Sequence, residues 1–382
     1  MSHQPQAGPS STTVGPLAVP GRSQAVPRGR DGAFDLLRFF AGVVVLIAHF
    51  AFSSHAAGRT GLHSSLLAPG IKYAYLVVDV FLILSGYFVL MTAQGRTWKP
   101  FLIARVARIW PGLVVCATIT YVGGLLLPAG ASTRTISLVD WFGNVTFLAF
   151  VPGGHFFFNI ADVVYWTLFF DFAFYALVAI GLAIGLVQQR FVAALLALCT
   201  VIVAASYFVP ERLYYAVVFA GLLSRFALGG ALYSIAVDRR SPGAWALLAG
   251  ATAVSLVNVW ARAVTRVQIE FEPFNPWIAC TVTILMILGL LALVLRPVVK
   301  DSPLTALLGG VTLPLYLLHH QLGCAVANVL GLGDDIVAVF GLTAAWVVVA
   351  TFVYVSLERP LVQPLHRALR ERFLRRERGG DS

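Results

Sequence analysis

Stretches of about 20 apolar residues recur along nearly the whole chain, separated by short segments that contain most of the charged residues. A helix of about 20 residues is about 30 Å long, which matches the hydrocarbon core of a membrane. The pattern therefore predicts an all-α, polytopic membrane protein whose transmembrane helices, about ten in number, form one bundle. The predicted spans cover approximately residues 34–54, 71–93, 101–127, 163–187, 191–209, 213–237, 244–264, 275–295, 304–330 and 335–357.

The composition agrees with a chain that lies mainly in lipid. Of the 382 residues, 59% are hydrophobic and only 12% are charged, and the mean hydropathy is +0.83. Soluble domains contain about 25% charged residues. Residues 1–30 are rich in Pro, Ser and Gly and are expected to form a disordered cytoplasmic tail. Residues 31–360 would form the transmembrane domain, and residues 361–382 a basic cytoplasmic tail.

The 27 Lys and Arg residues are distributed unevenly between the two sides of the predicted bundle. Nineteen fall in the terminal segments and alternate loops of one side, and six fall in the loops of the other side. Positive charge accumulates on the cytoplasmic side of membrane proteins, so both termini are predicted to be cytoplasmic. The net charge of +10 thus reflects topology. No nucleic-acid partner is expected, because the basic residues flank membrane spans and do not form an exposed basic face.

Two ionisable residues, Arg38 and His49, lie in the first predicted span. Ionisable groups inside a membrane helix are costly and are often functional. A separation of eleven residues returns to nearly the same helical face, with a rise of about 16 Å. The first helix would therefore present a cation near one membrane surface and a potential base in the other half. In the alternative interpretation, the arginine snorkels to the headgroups and the histidine packs in the interior.

The third span begins with a second group of cations. Arg105 and Arg108 are three residues apart, so both guanidinium groups lie on one helical face. They are predicted to lie at the same depth as Arg38. Three arginines at one depth form a potential anion site, because guanidinium binds phosphate through two hydrogen bonds. Arginines that flank a span can also simply mark its end.

Two carboxylates, Asp79 and Asp171, are predicted within the second and fourth spans. A carboxylate in the membrane needs a partner, and for Asp171 an interior arginine such as Arg225 is one possibility. Asp171 shares a helical face with Tyr175. Ser85 begins a Ser-Gly pair, which commonly allows a neighbouring helix to approach closely.

Adjacent histidines, His319 and His320, lie in the ninth predicted span. Adjacent side chains on a helix point about 100° apart, so the two rings are not expected to face one cavity. No third ligand appears at helical spacing, and no metal site is expected. The topology places His49, Asp79, Asp171 and His319 about 8–18 Å below the outer surface, whereas the three arginines lie at the cytoplasmic end.

Together, these segments resemble the acyltransferase-3 family of integral membrane O-acyltransferases. The resemblance covers about residues 34–360. Its departures are Leu82 and Tyr87 in the second span, and Asp171, which stands where the family usually has Glu. The matching segments are Arg38-(ten residues)-His49, Phe81 to Tyr87 as Phe-Phe-x-x-Ser-Gly-Phe, Arg105-x-x-Arg108, Trp166 to Tyr175 as Trp-x-Leu-x-x-Glu-x-x-Phe-Tyr, and Tyr316-Leu317-Leu318-His319, with His319 at the motif position.

The resemblance implies acyl-CoA, usually acetyl-CoA, as a co-substrate, with no tightly bound cofactor. The acceptor would be a hydroxyl of a carbohydrate, glycan or natural product. The expected function is therefore O-acylation, with Arg38, Arg105 and Arg108 binding the CoA phosphates. Besides these two substrates, membrane lipid is the expected partner, and the oligomeric state is not predicted.

The expected catalytic residues are His49, Asp171 and His319. His49 would act as general base on the acceptor hydroxyl, or would carry a transient acyl group. Asp171 or Asp79 would orient the imidazole or the acceptor, and His319 would help to stabilise the tetrahedral oxyanion. The expected substrate-binding residues are Asp79, Ser85, Trp166 and Tyr175.

The alternative function is a transporter or flippase for an anionic or glycolipid substrate, which would also place charges inside a helical bundle. Such a protein would move its substrate without releasing CoA. The location expected in either case is a cell membrane. The chain contains 24 arginines and three lysines, which favours G+C-rich coding and a bacterial plasma membrane.

Overall fold

The structure of this protein is a computed structural model, and it describes most of the predicted transmembrane domain. The tail expected over residues 1–30 lies outside the described residues, as does the end of the basic tail, residues 375–382. The described residues are 32–128, 130–131, 135–150, 157–186, 188–206, 214–270, 273–296 and 299–374.

These residues are predominantly helical, which confirms the all-α prediction. Shorter helical segments connect the main helices. The main helices are α1 Gly32–Ala48, α2 Val77–Ala93, α3 Trp98–Leu126, α4 Leu138–Val145, α5 Trp166–Ala183, α6 Gln188–Ser206, α7 Tyr214–Val237, α8 Pro242–Glu270, α9 Pro276–Leu295, α10 Pro303–Val329, α11 Ile336–Val353 and α12 Arg359–Leu374.

Eight helical segments of the described residues are long and apolar enough to span a membrane. The chain is therefore a multi-pass membrane protein. The sequence predicts about ten spans, and the two additional ones correspond to α6 and α10. Helix α6 is apolar only over Gln188–Ile202. Helix α10 has 27 residues and a length of about 40 Å, but its Thr, His, Gln and Asn side chains lower its hydropathy.

Helix α10 lies inside the bundle, where it packs against α1, α3 and α11. Nearly all its residues from Val311 to Ala327 are buried. A second group of helices surrounds α7, which packs against α2, α6 and α8. Contacts of α2 with α1 and α5 join the two groups. The polar residues of α10 therefore lie in the interior of the bundle, away from lipid.

Glycines allow α2 and α7 to pack with their backbones in contact. A Cβ atom on Gly86 would collide with the backbone of Phe226, and one on Gly229 would collide with the carbonyl oxygen of Ile83. Small residues permit this close approach between membrane helices. The packing expected of the Ser-Gly pair therefore occurs at Gly86.

Two helices change to π-helical geometry close to the polar interior. Helix α1 continues into a π-helical segment, His49–Ser53, and α11 continues into another, Tyr354–Glu358. Single π-helical turns are rare in proteins and frequently occur at functional sites. The first turn begins at the predicted base, and the second contributes Tyr354 and Glu358 to the cavity described next.

Candidate active site

A cavity of about 560 Å³ lies between α1, α2, α3, α5 and α10. Four helices contribute predicted site residues to its wall, so residues that are distant in sequence form one site. The predicted residues that line it are Arg38, Ser85, Arg105, Arg108, Asp171 and Tyr175.

The protein holds the three arginines of the cavity in different ways. Arg38 forms an ion pair with Asp35, with 3.5 Å between Nη1 and Oδ1. Arg105 is buried and donates a hydrogen bond to the hydroxyl of Thr92. Arg108 is exposed. Two guanidinium groups are therefore oriented by the fold and the third is accessible, which suits an anionic ligand with several oxygen atoms.

Asp171 faces this cavity from α5. The hydroxyl of Ser85 donates a hydrogen bond to Asp171 Oδ1 at 2.8 Å, which joins α2 to α5. Tyr175 lies one turn later, with its ring centroid 5.9 Å from the guanidinium carbon of Arg105. Arg225, the partner considered for Asp171 from the sequence, binds a different carboxylate.

That carboxylate is Asp79, which lies outside the lining of the cavity. Asp79 accepts from Arg225 Nε at 3.2 Å and from Arg262 Nη1 at 3.1 Å. The Asp79 and Arg225 side chains are almost completely buried. These ion pairs join α2, α7 and α8. Trp166, also expected to bind substrate, packs edge-on against Phe170 with 5.5 Å between the ring centroids.

The two predicted catalytic histidines are in direct contact. His49 Nδ1 and His319 Nε2 are 2.7 Å apart, and the two ring planes are nearly parallel, at 11°, with 4.9 Å between centroids. The other ring nitrogen of His319, Nδ1, lies 2.9 Å from the carbonyl oxygen of Tyr316 and 3.2 Å from that of Leu315. The contact joins α1 to α10 and buries His319 completely.

These contacts assign the hydrogens on both rings. A carbonyl oxygen can only accept, so Nδ1 of His319 carries a hydrogen. In the neutral ring, Nε2 of His319 then accepts a hydrogen bond from Nδ1–H of His49. The lone pair of His49 is therefore on Nε2, as a general base requires.

Tyr316 lies between the cavity and the histidine pair. It lines the cavity, and its ring centroid is 5.9 Å from that of His319. The arginines therefore line the cavity, whereas the histidine pair lies outside its lining and is in contact with it through Tyr316.

A third group of polar residues adjoins His49. His320 Nδ1 donates to Asp162 Oδ1 at 3.0 Å, and the backbone N–H of Gln321 donates to Asp162 Oδ2 at 2.6 Å. Arg59 Nη1 donates to His320 Nε2 at 3.2 Å. The carboxylate that the structure joins to the histidines is therefore Asp162, whereas the sequence suggested Asp171 or Asp79.

Asp162 is ionised in this environment. It precedes the fourth span and is fully buried, and burial by itself raises the pKa of a carboxyl group. Hydrogen bonds from the His320 ring and the Gln321 N–H favour the charged form and lower the pKa of Asp162. The His320 ring is therefore hydrogen-bonded to a buried carboxylate anion.

The adjacent histidines have different partners, yet both rings contact His49. The His320 ring lies edge-on to that of His49 with 4.9 Å between centroids, while the His319 ring is nearly parallel to it and joined to it by a hydrogen bond. As their helical spacing suggests, the two rings point in different directions and form hydrogen bonds with different partners. That spacing did not predict that a ring from α1 would contact both of them.

The model of the acyltransferase-3 family, described as an acyltransferase domain, matches residues 31–355. The chain belongs to the acyltransferase-3 family. It is a membrane acyltransferase, the first of the two functions considered from its sequence. No curated protein and no solved structure matches the chain.

In this acyltransferase, sequence reasoning missed Asp162 and Arg59. An aspartate just before an apolar span is typical of a helix cap, and Asp162 does accept a hydrogen bond from the Val164 N–H at 3.3 Å. Its second role, on His320, depends on the approach of α10. Arg59 lies in a loop after the short helix Ser54–Ala56 and carries no sequence signal. Among the residues that the structure describes, no group of three His, Cys, Asp or Glu side chains could hold a metal ion.

Proposed function

We propose that this acyltransferase moves an acyl group, an acetyl group in the simplest case, from acyl-CoA to a hydroxyl of a carbohydrate, glycan or natural product. The observation that carries the proposal is the cavity with three arginines, whose wall includes Tyr316, the ring that contacts His319. His319 is in turn paired with His49. Coenzyme A has the complementary form, because it has phosphates at one end and a reactive thioester at the other.

The donor would bind with its phosphates at Arg38, Arg105 and Arg108 and its acyl arm directed towards Tyr316. On α1, the rise from Arg38 to His49 is about 16 Å, which a pantetheine arm can cover. The carboxylate of Asp171, oriented by Ser85, would accept a hydrogen bond from an amide N–H of this arm. Tyr175 would line the same path.

His49 would act as the general base, with Nε2 accepting the proton of the acceptor hydroxyl. The charge that develops on His49 can move to His319, because Nδ1–H of His49 already points at Nε2 of His319. Both nitrogens of His319 are engaged, so we assign it this relay role in place of the oxyanion role expected from the sequence. A transient acyl group on His49 is the competing mechanism.

We also propose a bacterial plasma membrane as the location, with both termini in the cytoplasm. The uneven distribution of cations supports this topology. The arginine end of the cavity would then open towards cytoplasmic acyl-CoA.

The experiment that tests the proposed function measures thiol release from acetyl-CoA by the purified protein in nanodiscs. The wild-type protein is incubated with a panel of sugars, glycans and polyketide alcohols. Acceptor-dependent thiol release with formation of the ester supports the proposal and identifies the acceptor class. If neither acetyl-CoA nor longer acyl-CoAs bind to the folded protein, the proposed donor is wrong.

Replacing Arg108 by glutamine is expected to weaken donor binding by about 10- to 150-fold. The estimate corresponds to the loss of one hydrogen bond to a charged group, about 1.5–3 kcal/mol. Arg108 is exposed, so the change should leave the fold intact. Titration of CoA into wild-type and variant nanodiscs, followed by calorimetry, gives the dissociation constants.

The matched control is Arg190→Gln, which removes an exposed arginine outside the cavity lining. Its CoA affinity should equal that of the wild type. If both variants weaken binding equally, the cavity arginines do not form the phosphate site.

A further inference from the structure

The imidazole ring of His320 separates the guanidinium of Arg59 from the ring of His49. Arg59 follows the short helix Ser54–Ala56, and its carbonyl oxygen accepts a hydrogen bond from Asn328 Nδ2 at 2.9 Å. Its guanidinium donates to His320 Nε2, and the His320 ring contacts that of His49. Two contacts with α10, one at the backbone and one at the side chain, therefore define the position of Arg59.

The hydrogen bonds of His320 explain how this cation is held. Arginine can only donate, so Nε2 of His320 carries a lone pair and its hydrogen is on Nδ1, facing Asp162. His320 is therefore neutral and separates a guanidinium from a buried carboxylate. The negative charge of Asp162 compensates the positive charge of Arg59. The carboxylate binds the far side of the His320 ring, so it does not take up the N–H donors of the guanidinium.

The reaction needs a cation beside His49. As the hydroxyl oxygen attacks the thioester carbonyl carbon, His49 takes the hydroxyl proton and an electron pair moves onto the carbonyl oxygen. This oxyanion then re-forms the carbonyl and expels the thiolate, which takes the proton back from the histidine pair. Fixed donors aimed at such an oxyanion are commonly the largest source of rate enhancement.

We propose that Arg59 is the catalytic residue that stabilises the oxyanion, and that Asp162 and His320 are positioning residues for it. The inference rests on the proposed acyl transfer. A guanidinium has five N–H donors and His320 holds one of them, which leaves donors for the oxyanion. His319 is not suited to this task, because its two ring nitrogens bind His49 and the α10 backbone.

The test compares Arg59→Ala and Arg59→Lys with the wild type in the thiol-release assay. Loss of an oxyanion donor lowers kcat by about 10²- to 10³-fold. We expect a loss of this size in Arg59→Ala, with unchanged KM for donor and acceptor, and a smaller loss in Arg59→Lys. Added guanidinium ion should restore part of the Arg59→Ala rate, because it can occupy the vacated position.

Asp162→Asn and a matched control separate this role from a structural one. Asp162→Asn should lower kcat less than Arg59→Ala and should gain nothing from guanidinium, because its Arg59 is still present. Arg239→Ala removes an exposed arginine far from the histidines in sequence and should behave as the wild type.

Three results would overturn the inference. One is a raised acceptor KM at constant kcat, which would make Arg59 a binding group for an acidic acceptor. Another is a rate loss matched by a lowered Tm and not restored by guanidinium, which would make its role structural. The third is full activity of Arg59→Ala. Absence of thiol release by the wild type would instead refute the proposed function, before any variant is compared.

Discussion

Replacing His49 by glutamine is expected to lower the rate of acyl transfer by about 10²- to 10⁴-fold, the usual contribution of a general base. Glutamine can retain a hydrogen bond to His319 Nε2 but cannot take a proton from the acceptor. The CoA phosphates would bind at the arginines, so donor affinity should stay the same. Initial rates of thiol release at saturating donor, together with the dissociation constant of CoA, test both statements.

The matched control is His63→Gln. His63 lies in the loop after Ser54–Ala56 and stacks on His55 with 4.0 Å between ring centroids. Its variant should keep the full rate. A His49→Gln protein that is folded and transfers acyl groups as fast as His63→Gln would remove His49 from the mechanism.

The same proteins distinguish direct transfer from an acyl-histidine. In a single turnover without acceptor, an acyl-histidine mechanism releases one equivalent of thiol rapidly, whereas direct transfer releases none. The hydrogen bond from His49 to His319 serves either mechanism, because it makes His49 Nε2 both a stronger base and a stronger nucleophile, so this measurement decides between them.

Replacing Asp79 by asparagine is expected to lower the free energy of unfolding by about 3–5 kcal/mol. The change leaves the buried Arg225 and the partly buried Arg262 without their shared carboxylate. An uncompensated cation inside a bundle is costly, so α2, α7 and α8 should pack less stably. Unfolding curves in mixed micelles give the difference between the variant and the wild type.

Asp301→Asn is the control for this prediction, because Asp301 is an exposed carboxylate in the loop before α10. Its stability should lie within about 0.5 kcal/mol of the wild type. The substrate KM values of folded Asp79→Asn should be unchanged. A stable variant with a raised acceptor KM would instead support the substrate-binding role that the sequence suggested.

The arginine site and the histidine pair could both be anticipated because each depends on position along a helix. A helix rises about 1.5 Å per residue, so topology by itself places Arg38, Arg105 and Arg108 at one level. The same rule places His49 and His319 at a common depth. Residues at one depth in a small bundle have a high chance of meeting, and these residues do meet.

Depth along the helices did not predict which residues at the same depth bind each other. Asp79 and Asp171 have similar predicted depths, yet Arg225 binds the first and Ser85 binds the second. The outcome depends on which helices are neighbours and on their rotation about their own axes. Neighbours are selected by contacts between helices, such as the close approach of α2 and α7 at Gly86 and Gly229.

The sequence by itself therefore determined the helical, multi-pass architecture and the family. These properties follow from hydrophobic periodicity, span length and local motifs. Only the tertiary structure decided that Asp162 and His320 hold Arg59 beside His49, and that Tyr316 lies between the cavity and His319. Those contacts join a loop, a helix cap and the interior of α10. Their formation depends on how the helices pack, and the residues within each segment do not specify it.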